Sequence, residues 1–188
     1  VGGTRNRAEG ERAAMADVTR SKSDYGSANP KGRLTYPVAA ATVIEVGDLL
    51  WRVTSGASEG QVLPSSSTLL WNSTIALTRE ALNEKFVGVC AKAHSASGKN
   101  NDTVDVYTRG VFTFPVGTAA TFEVGDLVGG DQDAALSVLL DQSVEKVTIP
   151  SHAIGKVVKR YSMATSQVDV EILGRDAVGG GQRAFLTS

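Results

Sequence analysis

The segment Glu45-Val46-Gly47-Asp48-Leu49 occurs a second time, residue for residue, as Glu123-Val124-Gly125-Asp126-Leu127. The match widens upstream, where Ala41-Thr42-Val43-Ile44 is answered by Ala120-Thr121-Phe122, one residue shorter. Two further landmarks follow each copy in the same order. Val87-Gly88 corresponds to Ile154-Gly155, and Val104-Asp105-Val106 with Gly110 corresponds to Val168-Asp169-Val170 with Gly174. Gly-Asp after an apolar run is turn chemistry: glycine supplies positive φ and aspartate bonds its own backbone. The repeat therefore predicts two equivalent halves of turn, strand, loop and strand, built around one shared core.

The texture between these landmarks is that of short strands. Runs at 38–46, 49–54, 86–93, 103–108, 111–116, 147–149, 154–161 and 168–173 are rich in Val, Ile, Thr and aromatic residues. In 103–107 and 167–171 valines alternate with polar residues, the pattern of a sheet with one wet face. Residues 73–84 instead carry helical spacing that stops before Phe86, and a second short helix or a turn falls at 134–140. The fold class expected is mainly β, a small antiparallel β-barrel with one short helix.

Residues 1–37 differ from the rest. They carry Arg5, Arg7, Arg12, Arg20, Lys22, Lys31 and Arg33 against four acids, a charge of +3, which leaves -4 on the remainder of a chain whose net charge is -1. No apolar periodicity runs through them, so they cannot form a core alone. They read as an extended basic arm, with Tyr25 and Tyr36 as amphipathic anchors for a partner. The β-rich domain is expected at 38–174, and a Gly-rich tail at 175–188 that contains Gly179-Gly180-Gly181.

Catalytic devices are missing from the pattern. There is no phosphate loop, no dinucleotide fingerprint, no zinc-protease helix and no nucleophile elbow. One cysteine and two histidines fall short of a closed zinc site. Cys90 and His94 lie four apart in a region that reads as strand and loop, roughly 13 Å apart at ~3.3 Å per residue, which favours a buried cysteine and a surface histidine. His152 has no identifiable partner, and Asp105 and Asp169 read as residues of a solvated sheet face. No catalytic residue, cofactor or metal is expected. The acidic body, with only Lys156, Lys159 and Arg160 clustered, argues against nucleic acid. No apolar run approaches the ~20 residues of a membrane-spanning helix.

The ordered series Val46-Gly47-Asp48-Leu49, Val87-Gly88-Val89, Val104-Asp105-Val106, Gly110-Val111-Phe112-Thr113-Phe114-Pro115, Gly125-Asp126-Leu127-Val128, Ile154-Gly155 and Val168-Asp169-Val170 resembles the capsid decoration, or head cement, family of tailed bacteriophages. The resemblance covers about residues 38–174. It implies a β-tulip-like domain, often trimeric, on the outer surface of the capsid. There it would bind the major capsid protein and other copies of itself, and stabilise the shell against internal DNA pressure. The interface residues expected on this reading are Arg5, Arg7, Arg12, Arg20, Tyr25, Arg33 and Tyr36 of the arm, with Trp51 and Trp71 as large anchors. For the two tryptophans a place in the core is the competing assignment. A virion-surface module that binds a receptor or carbohydrate through loops 56–60 and 95–102 is the alternative function, and an enzyme of unrecognised type the third.

Overall fold

The computed structural model describes residues 19–20, 33–96, 102–134 and 137–175. It contains β1 (Thr19–Arg20), β2 (Arg33–Pro37), β3 (Leu49–Arg52), β4 (Val62–Pro64), α1 (Ile75–Lys85), β5 (Phe86–Cys90) and β6 (Thr103–Tyr107). Then follow β7 (Arg109–Phe122), β8 (Leu127–Gln132), β9 (Leu139–Val147), a 3-10 turn at Pro150–His152, β10 (Gly155–Val157) and β11 (Tyr161–Leu173). The protein is mainly β with one α-helix among the described residues, as the texture of the sequence predicts.

Two sheets form. The first has the order β2-β6-β5-β3-β4. The second runs β7-β11-β10-β8-β9, with β1 added outside β7, and a parallel pairing of Val116 with Val144 joins β7 to β9 and closes the five strands into a barrel. Replacing β2, β3, β4, β5 and β6 by β7, β8, β9, β10 and β11 converts one order into the other. The repeat read from the sequence is thus a repeat of topology.

Registers confirm the correspondence residue by residue. Leu50 faces Gly88 across β3 and β5, and Val128 faces Gly155 across β8 and β10. Thr35 faces Asp105, and Thr113 faces Asp169. In the Gly-Asp turns, the Asp48 carboxylate accepts the Glu45 N–H at 2.7 Å and the Asp126 carboxylate accepts the Glu123 N–H at 2.8 Å. Gly47 and Gly125 hold φ of 98° and 91°, the left-handed region that glycine enters without steric cost. Their N–H groups donate to Cys90 O at 3.0 Å and Val157 O at 2.8 Å.

The structure also corrects the alignment and the boundary of the repeat. From Leu34/Phe112 to Leu50/Val128 the matched residues differ by a constant 78 positions, so the upstream segments are equal in length and Ile44 answers Phe122. Leu34-Thr35-Tyr36-Pro37 answers Phe112-Thr113-Phe114-Pro115. Residues 33–37, assigned to the arm from composition, are therefore the first strand of the first unit, paired along their length with β6. Offset falls to 67 at Gly88/Gly155, so the first unit holds 11 residues more between these landmarks, and α1 lies in that stretch.

Core positions obey the same rule. One buried cluster comprises Tyr36, Val38, Ile44, Leu50, Val62, Val87, Cys90, Val104 and Val106. Their counterparts are Phe114, Val116, Phe122, Val128, Val144, Ile154, Val157, Val168 and Val170, all within the second cluster. That agreement at every position rules out a chance recurrence of short turns. The second cluster continues through Trp51, Phe86, Val89 and Leu82 of the first unit, so the outer face of the first sheet and α1 share the barrel's core. With both its faces covered, β5 is buried at all five residues.

Three local readings change. Residues 38–46 form a loop with a single bridge, Ile44 to His94, although the matched residues of β7 remain in strand by pairing Ala120 with Thr165 and Phe122 with Tyr161. Residues 139–147 form a strand because β9 has both β8 and β7 as partners, which local composition does not reveal. The turn before it is set by the Asp133 carboxylate, which accepts the N–H groups of Ser137 at 2.8 Å and Val138 at 3.2 Å. Helix α1 starts two residues later than its periodicity suggests, capped by the Thr74 hydroxyl, which accepts the Leu77 N–H at 3.3 Å.

Candidate interaction surfaces

The side chains that first suggest chemistry are placed apart or inside. Cys90 and His94 are both buried, His94 at 1% exposure, which overturns its expected place at the surface. Its Nδ1 lies 2.7 Å from Thr42 O, so the ring closes the 38–46 loop onto the end of β5. The Cys90 thiol donates to Lys92 O at 3.2 Å, and burial pushes its pKa up to about 12, the opposite of what a nucleophile requires. His152 sits half-buried in the 3-10 turn.

Asp105 and Asp169 are half-buried cross-strand partners. Thr35 donates its hydroxyl to Asp105 at 2.7 Å, and Thr113 does the same to Asp169 at 2.6 Å. Arg33 adds a hydrogen-bonded ion pair to Asp105, which with the Thr35 hydroxyl holds that carboxyl below its usual range. Arg33, expected at an interface, is exposed at the edge of the first sheet but already engaged by Asp105.

The two units are clamped together by polar contacts the sequence did not reveal. Gln142 of β9 donates to Asp48 Oδ1 at 2.9 Å and to Val46 O at 3.3 Å. The adjacent Asp141 accepts the N–H of Ser66 at 2.6 Å and its hydroxyl at 2.7 Å, while Ser65 Oγ donates to Leu140 O at 2.9 Å. From α1, Arg79 donates through Nε to Gly130 O at 2.9 Å and forms an ion pair, rather than an aligned hydrogen bond, with Glu145. Asn83 donates to the carbonyls of Pro150 and Ala153.

This junction splits the electrostatics of the repeat. Burial beneath β9 raises the Asp48 pKa from 3.8 to about 6, with the neighbouring Asp141 and Glu45 charges adding to the rise against the bonds from Glu45 N–H and Gln142. Burial also pushes Asp126 up, but the Lys146 ammonium at 2.6 Å and the Glu123 N–H outweigh it, and its pKa falls below the usual value. The same motif thus carries a carboxyl whose charged form burial disfavours in one unit and a stabilised carboxylate in the other.

Of the expected anchors, Trp51 belongs to the core. It is buried, its Nε1–H donates to Pro64 O at 3.1 Å, and the Lys85 ammonium lies 5.6 Å from its ring centre. Tyr36 is 7% exposed and packs inside the first unit, so its ring is a core residue too. Trp71 is half-buried in the turn leading to α1. Arg5, Arg7, Arg12 and Tyr25 lie outside the described residues; Arg20 is in β1 and pairs through its backbone with Phe112. The signal that would have placed Tyr36 inside was present in the sequence, as its match to Phe114.

A depression lined by Arg52, Thr54, Glu84, Lys85, Val87 and Arg175 has an internal volume of about 10 Å³, room for a single water. Among the described residues no three His, Cys, Asp or Glu side chains converge to hold a metal ion. Apolar side chains stand exposed at the tips of both Gly-Asp turns, Val46 and Val124, on the α1 side at Leu69 and Leu77, and at Met163 on the projecting end of β7 and β11.

No protein-family model and no curated protein matches the chain. Among solved structures, the chain is similar to the N base of head fiber gp8.5 of bacteriophage phi29, with a TM-score of 0.41 and 15% identity over 74% of this chain and 93% of that one.

Proposed function

We propose that this chain is a structural protein of a bacteriophage virion that binds the outer surface of the mature head and cements neighbouring subunits of the major capsid protein. The observation that supports this reading is the ordered motif series with its resemblance to the decoration family. Each segment of that series supplies a turn, a close backbone approach, a core residue or a cross-strand hydrogen-bonded pair of the two β units. The resemblance therefore concerns how the body is built, and the role follows as the family's use of such a body.

A cement protein acts by linkage. A copy that binds the assembled lattice and not its separated subunits adds its binding free energy to the assembled state, about 2.7 kcal/mol when present at 100 times its dissociation constant. Many such copies resist internal pressure without any reaction centre, so the role proposed is structural and not catalytic. Charge is divided to suit it, with a basic arm on an acidic body. The arm reaches neighbouring capsomers while the β body stands on the surface.

Co-sedimentation with phage heads tests this. Purified full-length protein is mixed with expanded empty heads that lack it, and separately with unexpanded precursor shells. Saturable binding to expanded heads alone is the expected result, reduced when residues 1–18 are deleted. Absence of binding to either particle overturns the reading and turns attention to carbohydrate or receptor ligands.

A further inference from the structure

The two units differ at one edge. On the barrel, β1 lies along the outer side of β7, with Thr19 opposite Thr113 and Arg20 opposite Phe112. The matched edge of the first unit is that of β2, where Thr35 and Leu34 take the places of Thr113 and Phe112. Strand β2 is outermost in its sheet. Val38 N–H donates inward to Asp102 O at 2.9 Å, so by alternation the backbones of Leu34 and Tyr36 also face β6, while those of Arg33 and Thr35 face outward. Among the described residues no strand pairs with that outward side. Leu34, beside that edge, is 42% exposed.

We propose that the outer edge of β2 accepts the arm strand at Thr19–Arg20 from a second copy of this chain. That segment pairs with the equivalent edge of β7 within its own chain, so the backbone geometry and the matched register, Thr19 opposite Thr35 and Arg20 opposite Leu34, carry over directly. Among the described residues each chain has one such strand and two such edges, and exchange replaces one ladder by its equivalent. The ladders themselves are equivalent, so the balance between the two arrangements is set by concentration, and exchange is favoured where the local concentration of copies exceeds the effective concentration of the arm for its own β7. Strand addition to an exposed edge supplies the affinity through main-chain bonds, and coverage of Leu34 adds apolar contact.

Chemical cross-linking of full-length chains decides it. Thr19→Cys protein carrying a mass tag is mixed with untagged Thr35→Cys protein and treated with a short bismaleimide. The control pairs Thr19→Cys with Glu59→Cys, an exposed site between β3 and β4 at the other side of the sheet. Cys90 is buried and does not contribute. The expected outcome is heterodimer at least about tenfold above the control; equal yields overturn the proposal, as does cross-linking of Thr35→Cys chains only to each other. A Thr19→Cys/Thr113→Cys chain, which should link internally, verifies that the arm is in place. Independently, Thr35→Pro removes an outward N–H while leaving the backbone ladder to β6 in place, and it should abolish concentration-dependent dimerisation in sedimentation, whereas Thr35→Val, which also loses the hydroxyl bond to Asp105 but keeps the N–H, should retain it. A dimer that survives Thr35→Pro refutes the assignment. Neither experiment involves heads, so failure here leaves the cement reading standing, and failure of head binding leaves this one.

Discussion

The carboxylate of Asp48 accepts the side-chain amide of Gln142 at 2.9 Å, a contact between residues 94 positions apart that binds the turn of one β unit to a strand of the other. Asp126, at the same place in the same five-residue motif, has no such cover and pairs with Lys146 instead. The junction between two equivalent units is where their chemistry diverges, and the predictions concentrate there.

Stability should fall as pH rises through the range where Asp48 ionises. Its folded pKa, about 6, lies above the usual 3.8. The neutral form is thus favoured by folding, and the stabilisation present below pH ~4 is lost as pH passes through 6. The loss amounts to about 3 kcal/mol at most for this group. Asp141, also raised by burial, contributes slope of the same sign. Asp48→Asn should flatten the slope without abolishing it, as read by urea denaturation at pH 4, 5.5 and 7. An unchanged slope would show that Asp48 is not the titrating group.

Gly88→Ala should destabilise by more than ~3 kcal/mol, because the added Cβ falls 2.0 Å from Tyr107 O, a backbone atom that cannot yield cheaply. The counterpart Gly155→Ala should behave similarly, with Glu171 O at 2.6 Å. Gly56→Ala, with φ of +85° and open space, should cost only about 1 kcal/mol from backbone strain. Thermal melts of the three variants test the order.

Arg79 and Glu145 should be coupled. Removing Arg79 as Arg79→Met leaves Gly130 O without its donor and Glu145 without its counter-charge, at a cost of about 2–3 kcal/mol. In a double-mutant cycle with Glu145→Gln, a coupling energy of about 1 kcal/mol is expected. Strict additivity would mean that the ion pair contributes nothing to holding α1 on the barrel.

Cys90 should resist thiol reagents in the native protein and react fully in denaturant. Its thiol is buried, and its pKa of about 12 leaves essentially no thiolate at neutral pH. Native-state labelling at the rate of a free cysteine would place this side chain elsewhere than the core of the first unit.

Much of this architecture is legible in the sequence. The Gly-Asp turns, the alternating valines of 103–107 and 167–171, and the helix ending at Phe86 all depend on residues within a few positions of one another. Turn dihedrals, period-two burial and helical spacing are local properties that composition and order specify directly. The repeat could be read further than its most visible segment, since Leu34-Thr35-Tyr36-Pro37 answers Phe112-Thr113-Phe114-Pro115; the basic stretch before it concealed that match by drawing 33–37 into the arm.

Other features were settled only by what the chain meets after folding. Residues 139–147 become a strand because β8 and β7 both need a partner there, and no local signal in Leu139–Val147 outweighs its polar positions. His94 is buried because the 38–46 loop closes over it. Asp48 and Asp126 share identical neighbours in sequence, so nothing in the motif distinguishes them. Burial and the nearest charge set a carboxyl's protonation, and these are supplied by β9 on one side and Lys146 on the other. Order along the chain determined the two units and their turns; packing one against the other, through contacts many residues apart, decided which face is core, which carboxyl has its charged form disfavoured by burial, and which strand edge lies unpaired among the described residues.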